Sequence, residues 1–197
     1  MTKHRILLSV LLLGALTSQS TMACDSLVDI PKSQFKEIAN QIKNADELDL
    51  DAIFQYSKLL CADNPMLRDY ARRIGLKSKN LPIRSHALYA SLAEMENIVL
   101  KTYKTRGLSA EQLKYIDQHP TIVYSIRYRD AKHACLSLYG SEKCNPDYVA
   151  KVQGSKVLIK YASGSVNAAL ELGDDGTLTG ELNNNKVKRI PVTIDLQ

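Results

Sequence analysis

Residues 156–196 read KVLIKYASGSVNAALELGDDGTLTGELNNNKVKRIPVTIDL. Val157, Ile159 and Tyr161 keep a period of two. So do Val166, Ala168, Leu170 and Leu172, and again Ile190, Val192, Ile194 and Leu196. Successive side chains of a strand face opposite sides, so this spacing gives each segment one apolar face. Ser163-Gly164, Gly173-Asp174-Asp175-Gly176 and Asn183-Asn184-Asn185 interrupt the pattern. Such dipeptides suit hairpin turns, Asp-Gly above all. The stretch predicts an antiparallel β-meander of about four strands over 148–197. Its short turns place sequence neighbours side by side. One apolar face of the sheet then needs a cover.

The segment before it supplies that cover. Residues 24–147 read as mainly helical. Phe35, Ile38, Ala39 and Ile42 fall on one helical face, and Asp49 is placed to cap a second helix carrying Ile53, Phe54, Leu59 and Leu60. A 16-residue repeat follows. Asn64-Pro65-Met66-Leu67-Arg68 aligns with Asn80-Leu81-Pro82-Ile83-Arg84, each with a capping Asn, a Pro in the first turn and an Ala three residues after the Arg. The pair resembles the helix-pair units of HEAT-like repeats. The resemblance implies a packing style, an α-hairpin, and no function, since a free solenoid needs about three repeats. A helix is expected from Leu81 to about Thr102, and another opens at Ser109 with the Ser-x-x-Gln spacing of a capping box. Thr121–Tyr128 fits strand and helix alike, and a helix is expected over Asp130–Leu138. The fold class is α+β, with the helices of 24–147 and the meander of 148–197 forming one compact unit.

The N-terminus carries Lys3 and Arg5, then an apolar run of 11 residues from Ile6 to Leu16, then small and polar residues to Ala23. That order is the form of a secretory signal over residues 1–23. A helix of that run spans roughly 16 Å, too short for a bilayer core of about 30 Å. Thr21 and Ala23 occupy −3 and −1 of a cut before Cys24. A Cys at that place also raises lipidation, although bacterial lipoproteins favour Leu where Thr21 stands. Cys24, Cys61, Cys135 and Cys144 are an even set. Cys135 and Cys144 flank a turn and are expected to pair, which leaves Cys24–Cys61. Structural disulfides imply an oxidising compartment. The chain is expected to be exported, to the periplasm first, with an outer-membrane lipoprotein or a secreted protein as alternatives.

Cleavage lowers the formal charge from +5 to +3, because residues 1–23 hold Lys3 and Arg5 and no acid. That is too little to imply nucleic acid. The charge is unevenly spread. Residues 24–64 hold 4 Lys/Arg against 8 Asp/Glu, and residues 65–106 hold 9 against 3. Arg68, Arg72, Arg73 and Arg84 are therefore the candidate binding patch, facing an acidic protein surface or an anionic envelope component.

Catalytic motifs are missing from the sequence. It has no Gly-x-Ser-x-Gly, no phosphate loop and no His-Glu-x-x-His. His86, His119 and His133 lack a second His at helical spacing, so no metal is expected. Glu171, Asp174 and Asp175 read as a hydrophilic turn rather than a calcium loop. No catalytic residue and no cofactor is expected. The expected function is non-enzymatic binding of another envelope protein, of inhibitor or immunity type. An enzyme acting on an envelope polymer and a lipid-anchored envelope accessory are the alternatives, and a membrane enters only through lipid on Cys24.

Overall fold

A computed structural model describes residues 24, 26–47 and 49–196. The proposed leader, residues 1–23, lies outside them. Four helices come first: α1 (Lys32–Asn44), α2 (Leu50–Leu60), α3 (Pro65–Leu76) and α4 (Leu81–Ala93). Strand β1 (Asn97–Thr102), helix α5 (Ala110–Gln118), and strands β2 (Thr121–Ser125), β3 (Tyr128–Asp130), β4 (Cys135–Ser137), β5 (Val149–Gln153), β6 (Lys156–Tyr161), β7 (Val166–Leu172), β8 (Leu178–Asn184) and β9 (Ile190–Ile194) follow. The fold is α+β, with nine antiparallel strands in the order β2-β1-β9-β8-β7-β6-β5-β4-β3. The sheet is more than twice the expected meander, and it begins at Asn97 rather than after residue 147.

Local chemistry sets the helix starts. Asp49 accepts from the Ala52 amide at 2.9 Å, Asn64 from Met66 at 2.9 Å and Asn80 from Ile83 at 3.1 Å. Ser109 and Gln112 form a reciprocal capping box. The two repeat units share the capping Asn and the early Pro, and then diverge. Asn80 is fully buried and also donates to the Asp46 carbonyl at 2.7 Å, which ties α4 to the entrance of α2. Asn64, by contrast, is exposed.

The expected helix from Leu81 to Thr102 stops at Ala93. Beyond it the β-branched residues Ile98, Val99 and Thr102 enter β1, which pairs with β2 and β9. The helix end is fixed from outside. Arg129 of β3 donates from Nε to the Ala93 carbonyl at 2.7 Å and from Nη2 to Met95 at 2.6 Å. These carbonyls would otherwise be orphans of the last turn. The helix expected over Asp130–Leu138 is instead a hairpin of β3 and β4, turning through Ala131–Ala134 with Ala134 at φ +48°. Cys135, Leu136 and Ser137 are all buried, so β4 lacks the alternation by which a half-buried strand is recognised. Thr121–Ser125 is a strand.

The two edges of the sheet meet. Only Ile126 and Arg127 separate β2 from β3. Ile126 N–H donates to Glu96 beside β1 at 2.9 Å, and Arg127 N–H donates to Ser137 of β4 at 2.8 Å. Consecutive amides of an extended chain point to opposite edges. Residues 121–130 thus act as one bent strand with β1 on one side and β4 on the other, and the curled sheet closes on itself. Closure removes the exposed edges that invite aggregation.

One buried cluster runs from Ile30 on the helical side to Ile194 in β9. α4 lies at its centre, buried continuously from Ala87 to Ala93. Its small residues let α3 approach closely. A Cβ added at Gly75 would meet the Tyr56 hydroxyl and lie 2.7 Å from the Ala87 Cβ. Gly75→Ala should therefore destabilise the fold by about 1–2 kcal/mol, although alanine is the better helix former by about 1 kcal/mol. Urea unfolding measures the difference; an unchanged or raised midpoint would show that α2 and α4 yield to the added methyl.

Candidate functional site

The arginine set is dispersed among structural tasks. Arg68 Nη1 donates to the carbonyls of Ala62 at 2.6 Å and Asp63 at 2.9 Å, closing the loop before its own helix. Arg72 bridges Asp69 at 3.5 Å and Glu94 at 3.3 Å, joining α3 to the end of α4. Arg84 leaves the helical side altogether. Its Nη2 donates to Leu172 at 2.7 Å and Gly173 at 3.0 Å, and Nη1 lies 3.2 Å from Asp174 on the β7–β8 turn. Arg73, 60% exposed, contacts Asp69 at 3.0 Å. Arg68 and Arg84, equivalent in the repeat, thus hold different parts of the molecule. Asp174 and Asp175 belong to the hairpin turn, where Asp175 accepts from the Thr177 amide at 2.9 Å.

Both disulfides form, Cys24–Cys61 and Cys135–Cys144. The first holds the chain entrance against the end of α2, reinforced by Val28 N–H donating to the Cys61 carbonyl at 2.8 Å. Among the described residues no group of three or more His, Cys, Asp or Glu is placed to hold a metal, and no helix is long and apolar enough to cross a membrane. His133 Nδ1 lies 2.7 Å from Asp130 on the β3–β4 turn, and this hydrogen bond holds the Asp130 carboxyl below its usual range. His119 packs on Tyr115, ring centroids 4.5 Å apart.

A recess lies between α1 and α3. Ile30, Phe35 and Ala39 form its floor, Leu67 and Tyr70 its far wall, and its volume is about 760 Å³. The Phe35 and Tyr70 rings are 5.8 Å apart and tilted by 57°. Met66 stands 78% exposed at the mouth. Lys32 and Lys36, one turn apart on α1, line the near rim. Lys43 continues that side and donates to the Tyr70 hydroxyl at 3.1 Å. Arg73 follows Met66 by seven residues and Tyr70 by three along α3, on the same face. The recess is an apolar slot edged by ammonium groups. The spacing of Phe35, Ile38, Ala39 and Ile42 marks one packed face; nothing in it marks the gap between Phe35 and Leu67.

A second aromatic feature sits on the sheet. Tyr124 and Tyr161 have centroids 4.8 Å apart, Tyr161 and Tyr148 5.0 Å, and Tyr148 and Tyr139 5.0 Å. The row runs from the interior of the closed sheet to the exposed loop after β4. Burial pushes the Tyr124 hydroxyl up to about 12, with Tyr115 and Tyr161 adding to it.

A phenol whose folded pKa is raised supports the fold fully below pH 10, its unfolded value, and loses that support as pH climbs through about 12. Tyr124→Phe should thus flatten the fall in urea midpoint between pH 10 and 12 relative to the unaltered protein; parallel curves would remove Tyr124 from the alkaline transition. No protein-family model, no curated protein and no solved structure matches the chain.

Proposed function

We propose that this is an exported, non-enzymatic binding protein of a bacterial envelope, of inhibitor or immunity type, which recognises another envelope protein. The α1–α3 recess carries the reading. An apolar slot between two helices receives the apolar face of a partner segment, as in helix-in-groove recognition. The lysines on the rim select carboxylates on that segment, so the occupant is an acidic amphipathic stretch of the partner. Electrostatic complementarity of this kind sets partner choice and association rate more than raw affinity. The two disulfides support an oxidising compartment, the periplasm first. With its sulfur bonded to Cys61, Cys24 has no thiol left for a lipid thioether, which supports an unanchored chain.

The arginines enter this reading mainly as structure. Arg73 alone extends the rim. Reversing Arg68, Arg72 and Arg84 together should lower the unfolding temperature rather than test a surface, since each leaves carbonyls or carboxylates without a partner.

The decisive experiment compares complexes formed in envelope extracts by the unaltered protein and by Lys32→Glu/Lys36→Glu and Met66→Glu, each checked for an unchanged unfolding temperature. A stoichiometric partner is expected whose bound segment is acidic, whose affinity falls about tenfold or more in each variant, and whose affinity falls with salt. Equal binding by both variants would sink the recess as the site. Turnover of purified peptidoglycan that a single carboxylate substitution abolishes would replace binding with catalysis.

A further inference from the structure

We infer that the disulfide-closed loop after β4 is a saccharide-binding site, with Tyr139 as its stacking platform. The site is independent of the α1–α3 recess. Loop residues 139–146 enclose a shallow cavity of about 450 Å³, within the ~300–1,000 Å³ range of small-molecule sites. Tyr139 is 62% exposed. Its ring is nonetheless held. Tyr148 backs it at 5.0 Å, and Tyr148 is fixed edge-on by Tyr161, itself packed at a tilt against Tyr124.

The loop backbone is held as firmly as the ring. Ser137, fully buried, donates from Oγ to the Tyr139 carbonyl at 2.7 Å, and the same Oγ accepts from the Asn145 amide at 3.4 Å. One hydroxyl therefore joins the two ends of the loop. Cys135–Cys144 spans the same segment, and Leu138 N–H donates to the Tyr148 carbonyl at 2.8 Å. Little conformational entropy remains to be lost when a ligand binds.

The ligand class follows from what the cavity presents. A fixed aromatic face carries negative quadrupole charge and attracts the polarised C–H bonds on a flat sugar face. Ser141, Glu142, Lys143 and Asn145 also line the cavity; Asn145 Oδ1 accepts from the Asp147 N–H at 3.0 Å, and the hydroxyl, carboxylate, ammonium and Asn145 NH2 supply donors and acceptors for ring hydroxyls. Glu142 and Lys143 cancel in charge, which favours a neutral sugar over an anionic one. The ligand is a neutral oligosaccharide, taken with one ring flat on Tyr139.

Tyr139 is one of ten tyrosines, so binding is read by calorimetry, which does not depend on the residue replaced. Titration with the β1,4-linked tetramer of N-acetylglucosamine, and separately with maltotetraose, tests the inference and identifies the linkage preferred. Saturable binding of either tetramer is expected, weakened about tenfold in Tyr139→Ala and within about twofold in Tyr139→Phe. Tyr139 is exposed, so both variants should unfold at the original temperature. The inference is overturned by no saturable binding of either sugar up to about 10 mM, by equal binding to Tyr139→Ala, or by equal loss in Tyr139→Phe, which would implicate the hydroxyl instead of the ring face.

Discussion

The architecture rests on the burial of α4 and on the two guanidinium groups that fix its ends to the sheet. Arg84 lies in the first turn of that helix, where a positive charge opposes the helix dipole. Its position is explained by the carbonyls of Leu172 and Gly173, 2.7 and 3.0 Å away at the end of β7. Arg129 approaches the other end from β3 and takes the carbonyls of Ala93 and Met95. Helix and sheet are therefore joined by charge-assisted hydrogen bonds at both ends of one buried element, each worth about 1.5–3 kcal/mol. Between those ends the contact is apolar and dense, with Gly75 and Ala87 setting how near α3 can come.

Closure of the sheet follows from the same arrangement. β3 carries Arg129, so the strand that seals α4 is also the strand that meets β4. Its other half, β2, pairs with β1, which leaves α4 after only the short link Glu94–Glu96. Residues 121–130 must therefore bend between two neighbours, and the row from Tyr124 to Tyr161 fills the space where the ends of the curl meet.

What the sequence discloses depends on how each element is buried. β6, β7 and β9 show one face to the core, and alternation reveals them. The caps at Asp49, Asn64, Asn80 and Ser109 are local chemistry and are equally plain. β4 is buried on both faces and β3 has three residues, so neither carries a periodic signal, and apolar spacing suggested helix instead. The apolar spacing of α4 continues through Val99 and Leu100 of β1; the stop comes from Arg129, 36 residues away from Ala93. α4 is buried nearly all round, which erases the amphipathic stripe that identifies a surface helix.

The same distinction explains the candidate sites. A run of arginines marks charge, but the partners that consume it are backbone carbonyls, which sequence composition does not count. Arg68, Arg72 and Arg84 are half-buried against carbonyls and carboxylates, whereas Lys32 and Lys36 on the more acidic segment line a recess that needs no buried charge. Net charge by segment points to α3 and α4, while the ammonium groups that line the recess stand on α1. An ammonium on a flexible stem stays hydrated and available, but a guanidinium with several fixed donors is readily drawn into structural bonds. A basic stretch rich in arginine is for that reason a weaker sign of an external partner than the same number of lysines, unless the fold withholds carbonyls and carboxylates from it.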